Sequence, residues 1–178
     1  MSIEIQKTGI TDLDVDAIVN AANEGLWMGG GVCGAIFRAA VPTKLQAACK
    51  KIGSCRTGSA VITPGFDLKA RHVIHAVGPV WNGGTKGEPE LLYSCYYKSL
   101  ELAVENGCGS VAFPLISSGI FGYPKEGAWD RALQACVDFE RNHPDGSLRI
   151  VFAILSDDLV ELGKKILAQK EWENEKKE

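Results

Sequence analysis

Ala17-Ile18-Val19-Asn20-Ala21-Ala22-Asn23, followed after four residues by Met28-Gly29-Gly30-Gly31-Val32-Cys33-Gly34-Ala35, decides the reading of this chain. Ala17–Val19 reads as a short buried strand, the glycines as a tight connection, and Val32–Ala40 as the helix that follows. A second stretch has the same arrangement. The strand Val111–Phe113 runs into Pro114-Leu115-Ile116-Ser117-Ser118-Gly119-Ile120-Phe121-Gly122, with a helix over Lys125–Arg141 behind it. Glycine at such a joint lets backbone N–H groups converge without side-chain obstruction, and the next helix adds the partial positive charge of its N-terminus. One such loop hints at a phosphate. Two on one chain imply a cradle for a diphosphate, and so a phosphorylated nucleotide or nucleotide-sugar held mainly by backbone.

Working outward, short apolar runs alternate with longer helical patterns. Ile3–Lys7, Ala60–Thr63, Val73–Val77 and Ile150–Leu155 complete the strands, and most of the six are continuously apolar, as in sheets covered on both faces. Thr43–Ile52, Glu88–Asn106 and Asp157–Ala168 complete the helices. Leu92, Tyr96, Leu100 and Ala103 mark one helical stripe, and Trp129, Leu133, Cys136 and Phe139/Glu140 another. Pro144 and Gly146 end the fourth helix, and Asp157 with Asp158 supplies an N-cap and a first-turn acid for the fifth. This alternation predicts an α/β fold with helices on both faces of a sheet. Gly83-Gly84-Thr85-Lys86-Gly87 reads as a flexible loop over a ligand site. With no repeat and no shift in composition, a single domain over 1–169 is expected, followed by a charged, frayed tail over 170–178.

At 178 residues with 46% hydrophobic and 23% charged side chains, the chain can bury a core without staples. Its net charge of −3 disfavours general nucleic-acid binding but not a diphosphate bound by amides. Cys33, Cys49, Cys55, Cys95, Cys108 and Cys136 form no C-x-x-C pair and no zinc-type spacing, so neither metal nor cofactor is expected. Reduced thiols and the lack of a leader-like or membrane-spanning apolar run point to the cytoplasm, with no membrane partner.

In order, Val19-Asn20-Ala21-Ala22-Asn23, Gly29-Gly30-Gly31-Val32-x-Gly34-Ala35-Ile36, Val73-Ile74-His75-x-Val77-Gly78-Pro79 and Phe113-Pro114-x-Ile116-Ser117-Ser118-Gly119-Ile120-Phe121-Gly122-Tyr123-Pro124 resemble the macro-domain family over nearly the whole chain. The resemblance implies a three-layer α/β/α sandwich with a central mixed, mostly parallel sheet and an ADP-ribose cleft at the strand ends. Members of the family either only bind ADP-ribose or hydrolyse it from acidic side chains or from O-acetyl-ADP-ribose.

Asn23 matches the asparagine that contacts the distal ribose in hydrolytic members and helps position the water or ester. Its amide donates and accepts, which suits a ribose hydroxyl; its plain alternative is a turn asparagine bonding its own backbone. Asn20 reads as a loop bracket that can also touch ligand. Gly29, Gly30, Gly31, Val32, Cys33 and Gly34 match the first phosphate loop, and Ser117, Ser118, Gly119, Ile120, Phe121 and Gly122 the second. Tight turn geometry alone would also explain those glycines. Phe121 matches an aromatic packed on the distal ribose, against the alternative of a hydrophobic lid, and Ile10 is placed against the base.

Three departures stand out. Family members commonly carry Gly-Asp-Ile-Thr after the first strand, the acid recognising the adenine amino group; here Thr8-Gly9-Ile10-Thr11 has Gly9, with Asp12 and Asp14 nearby. Many stack an aromatic on adenine after the last strand, where this chain has Leu155-Ser156-Asp157. Hydrolases commonly have Val-Asp-Gly in the first loop, where this chain has Val32-Cys33-Gly34, although viral members lack that aspartate and still hydrolyse. Cys33 reads either as a small apolar residue or as a thiol activated by a helix N-terminus. His72 and His75 read as core or edge residues, Glu24 as a loop acid and Asp16 as a backbone partner.

The expectation is therefore a protein that binds ADP-ribose or a derivative and hydrolyses ADP-ribosyl esters, whether mono-ADP-ribosyl Asp/Glu on proteins or O-acetyl-ADP-ribose. The alternatives are a non-catalytic ADP-ribose reader module and an RNA-binding domain, the latter disfavoured by the charge.

Overall fold

The computed structural model describes residues 2–177. Its elements run β1 (Ser2–Lys7), a 3-10 turn (Ile10–Asp12), β2 (Ala17–Ala21), α1 (Gly31–Ala40), α2 (Pro42–Ile52), β3 (Ala60–Pro64), β4 (His72–Ala76), α3 (Glu88–Glu105), β5 (Ser110–Phe113), α4 (Lys125–Asn142), β6 (Arg149–Ile154) and α5 (Asp157–Glu175). The strands form one sheet in the order β1-β6-β5-β2-β4-β3. All neighbours are parallel except β3, which runs antiparallel to β4 at one edge.

Alternate side chains of the same strands feed two cores, because successive residues point to opposite faces of a sheet. Val19, Ile74, Val111, Phe113, Ile150 and Phe152 meet the apolar stripes of α3, α4 and α5 on one face. Ile18, Val73, Ala112 and Val151 meet Ile36, Phe37, Leu45 and Cys49 of α1 and α2 on the other. The expected three-layer sandwich is the observed one. Leu92, Tyr96, Leu100 and Ala103 are fully buried, as are Trp129, Leu133, Cys136 and Phe139.

Two local expectations change. Ser156, rather than Asp157, caps α5 by accepting the Leu159 N–H, which leaves Asp157 and Asp158 together in the first turn. Helix α5 also passes through residue 170 without a break. Lys170 is buried, and its ammonium donates to Asp130 Oδ1 at 2.7 Å and to Gln134 Oε1 at 2.9 Å on α4. A lysine in a charged run thus turns inward because α4 offers it acceptors that compensate its burial. Burial alone would raise the Asp130 carboxyl, but bonds from Lys170 and Arg131 outweigh it and hold the group below its ordinary value.

The α4/α5 contact leaves no room at Gly163, where an added Cβ would lie 2.6 Å from the fully buried Trp129 indole. Gly163→Ala is expected to cost about 1–3 kcal/mol, read as a lower urea midpoint at unchanged m-value.

Candidate functional site

The loops that leave the C-terminal ends of the parallel strands enclose one cleft of about 730 Å³. Thr8–Thr11 follow β1, Ala21–Asn23 close β2, Gly78 follows β4, Pro114–Phe121 follow β5 and Ile154–Ser156 leave β6. A crevice at the strand ends, where the chain switches between faces of the sheet, is where open α/β folds bind ligands. No Asp, Glu, Lys, Arg or His lines this cleft among the described residues.

Its polarity comes from backbone. Helix α1 begins at Gly31 with no side-chain cap, and Gly34 is the first residue whose N–H reaches its i−4 carbonyl, that of Gly30. The N–H groups of Gly31, Val32 and Cys33 are therefore left over at the positive end of the helix. Added Cβ atoms at Gly30 and Gly31 would meet open space, so these glycines expose bare backbone rather than relieve a clash. Across the cleft, the Gly119, Ile120 and Phe121 N–H groups donate to no backbone acceptor among the described residues. That second loop stores strain: Ser117 sits at φ +68° and its buried Oγ has no partner. Gly78 is required beside it, since a Cβ there would fall 2.3 Å from Ser117 Oγ.

A family model for the macro domain matches residues 19–132. The chain belongs to the macro-domain family. The O-acetyl-ADP-ribose deacetylase of Cronobacter sakazakii is 46% identical over 171 residues, covering 94% of each chain. The solved Oceanobacillus iheyensis macrodomain with ADP superposes with a TM-score of 0.89 at 35% identity, over 96% of this chain and 92% of that one. The Trypanosoma brucei macrodomain in complex with ADP-ribose gives 0.84 at 40% identity, over 92% of this chain and 68% of that one.

In this macro domain Ile10, Asn23, Gly29, Gly30, Gly31, Val32, Cys33, Ser117, Ser118, Gly119, Ile120 and Phe121 all line the cleft. Three residues expected on the ligand do not. Asn20, on β2, is buried with its amide against Cys33 and His75. Gly34 exists for a close approach, because a Cβ would meet the Gly29 carbonyl at 2.8 Å. Gly122 closes the second turn at φ +72° by donating its N–H to Gly119 O. The expected ligand-covering loop at Gly83–Gly87 also stays out of the cleft.

Asn23 lines the cleft and makes the backbone bonds of a turn asparagine. Its Nδ2 donates to Trp27 O at 3.0 Å and its Oδ1 accepts Trp27 N–H at 3.1 Å, leaving one N–H and one lone pair uncommitted. Cys33 braces the same loop. Its sulfur accepts from Gly29 N–H at 3.4 Å and from Asn20 Nδ2 at 3.6 Å, and its thiol donates to Trp27 O at 3.9 Å. Behind it, Asn20 Nδ2 meets His75 Nδ1 at 3.1 Å, and His75 Nε2 meets Thr63 Oγ1 at 2.9 Å. The Thr63 hydroxyl proton is directed to Pro64 O, so the ring carries its proton on Nε2 and accepts at Nδ1.

At the far end of the cleft, Ile10, Leu155 and Leu159 form an apolar wall with Ser156. Asp12 folds back over Gly9: a Cβ added there would lie 2.9 Å from Asp12 Oδ2. Neither Asp12 nor Asp14 lines the cleft. Leu155 and Ile120 stand at its mouth 77% and 95% exposed, apolar surface left without a protein partner. Glu24 and Asp16 bond backbone instead, at Thr57 N and Gly109 N.

Sequence reasoning missed the residue that supports the second loop. The buried carboxylate of Glu88 accepts the N–H groups of Asn82, Gly84 and Lys86, fixing the loop before α3. That loop donates Trp81 N–H to Phe121 O at 2.8 Å and packs the Trp81 ring on Tyr123. The signal available was an acid at the first position of a helix, which usually marks no more than a dipole preference.

Two pH dependences follow. Burial would raise the Glu88 carboxyl, but those three amides and its own backbone N–H outweigh it and hold it at about 2, below its ordinary 4.5. Its contribution is complete above 4.5 and fades as pH falls toward 2. The stability gap between wild type and Glu88→Gln, measured by thermal melts, should therefore shrink over that range. Burial lowers His75 from 6.5 to about 4, so the neutral ring favours the fold above 6.5 and this is lost as pH falls to 4. This contribution to stability is about 3 kcal/mol. Denaturant titrations of His75→Asn should show a less stable protein with a flatter profile between those values.

Proposed function

We propose that this macro domain binds ADP-ribose and hydrolyses ADP-ribosyl esters, on Asp or Glu side chains of proteins or in O-acetyl-ADP-ribose. The observation that carries this reading is the pair of uncommitted amide rows, from Gly31–Cys33 and from Gly119–Phe121, that line one cleft with no charged side chain. Amides and a helix N-terminus bind a diphosphate without a counter-cation. The base then lies against Ile10, Leu155 and Leu159, the diphosphate between the loops, and the distal ribose beside Asn23 and Phe121. The names of the Cronobacter and Trypanosoma relatives support ligand and reaction alike.

Hydrolysis in such a site depends on position rather than on a strong base. A water held between the free half of the Asn23 amide and a phosphate oxygen of the ligand adds to the ester carbonyl. A phosphate oxygen takes the water's proton, the acyl–oxygen bond breaks, and the proton passes to the departing ribose oxygen, leaving a ribose hydroxyl and the free carboxylic acid, which ionises. All six cysteines are free and buried, which suits the reducing cytoplasm.

The reader alternative draws on the absence of a carboxylate or histidine in the cleft and on Cys33 in the first loop. Wild-type protein should release acetate from O-acetyl-ADP-ribose. Asn23→Ala should lower kcat about 100-fold, while ADP-ribose affinity by calorimetry changes by no more than about threefold. Normal ADP-ribose binding with no turnover by wild type would make the domain a reader.

A further inference from the structure

We infer that the face of α2 beside the cleft is a docking surface for the acidic polypeptide that carries the ADP-ribosyl group. This rests on the ester-hydrolase or reader function proposed above and names the class of protein substrate that the site takes.

Residues 25–66 contain Arg38, Lys44, Lys50, Lys51 and Arg56 and no Asp or Glu, in a chain whose net charge is −3. The positive charge is thus segregated onto the segment that builds the first loop and α2. Lys44, Lys50 and Lys51 are exposed and have no ion-pair partner among the described residues. On the same helix Pro42, Thr43, Gln46, Ala47 and Lys50 line a shallow groove with Met28. Gln46 ties that groove to the loop, accepting Met28 N–H at 2.9 Å and donating to Leu26 O at 3.1 Å. Met28 faces the groove and its neighbour Gly29 faces the cleft, so a single loop forms the ridge between them. Asn23, the residue placed at the distal ribose, is bonded to Trp27 on that ridge, and Trp27 is 62% exposed.

A polypeptide attached at the distal ribose leaves the cleft over this ridge. Beyond it lies the groove, apolar at Met28, Pro42 and Ala47, with Lys50 lining it and Lys44 and Lys51 exposed on the same helix, which matches aliphatic and carboxylate side chains in one segment. Nucleic acid fits less well, because Lys50 is the one cation among the groove-lining residues and no arginine or aromatic lines it.

The test uses two synthetic peptides carrying ADP-ribose through a non-hydrolysable linkage, one flanked by glutamate and leucine, the other by lysine, with free ADP-ribose as reference. In calorimetric titrations of wild type, the acidic peptide should bind about threefold to tenfold tighter than free ADP-ribose, and added salt should erase the gain. Lys50→Glu should remove the gain and leave free ADP-ribose affinity unchanged, while Lys164→Glu on the exposed side of α5 should leave both unchanged. Equal affinity of wild type for both peptides and free ADP-ribose would overturn the inference and leave the proposed function standing. So would equal effects of Lys50→Glu and Lys164→Glu, or a larger gain with an ADP-ribosylated RNA oligonucleotide. Failure of wild type to bind free ADP-ribose would instead overturn the proposed function, and this inference with it.

Discussion

Backbone amides bind an anion only when something else holds them still, and loops built from glycine bring few side chains for that purpose. In this fold the holding is done from behind. The first loop is braced by Cys33 and Asn20, and they in turn by a buried neutral His75 bonded to Thr63 on the edge strand β3. The second loop leans on Trp81, whose own segment is organised by the buried Glu88 carboxylate. Both supports are polar groups removed from water, where a bond made is worth more and a bond missing costs more than at the surface. The two loops therefore keep these amides uncommitted.

The order of the strands explains why these loops meet. Placing β6 and β5 between β1 and β2 gathers the exits of four parallel strands along one rim, and β4 adds Gly78. Antiparallel β3 contributes nothing to the rim, but it carries Thr63 to His75 and so completes the brace behind the first loop.

Most of this was legible in the residues. Continuous apolar runs such as Val73–Val77 and Ile150–Leu155 lie on strands, and the glycine loops mark the cleft, because such signals are local. What escaped was non-local. Whether Lys170 points outward depends on Asp130 and Gln134 forty residues and thirty-six residues away along the chain. Glu88 reads like any first-turn acid until the loop before it curls onto its carboxylate. Gly34 and Gly122 share the motifs of the cleft yet serve the turns that build it, a difference set by which way a turn faces rather than by residue type. Gly78 lay within a recognised motif, but its reason, the crowding by Ser117 and Ile116, exists only in three dimensions.

Cys33 links the brace of the first loop to the charge of the cleft. A carboxylate in the same place would bring negative charge to the N-terminus of α1, against a diphosphate expected at the same amides. The thiol keeps the cleft free of fixed negative charge and takes up bonding to Gly29, Asn20 and Trp27. What it gives up is a basic group beside the ester. Under the proposed function the chain favours holding its ligand over activating water directly, and turnover depends on Asn23 and on the ligand's own phosphate oxygens. In a cleft without charge, the fixed positive field comes from the helix N-terminus within and from the lysines of α2 outside. On the proposed function and docking surface, the first acts on the diphosphate and the second on whatever is attached to it, so ligand affinity and choice of carrier would be set by separate parts of one segment.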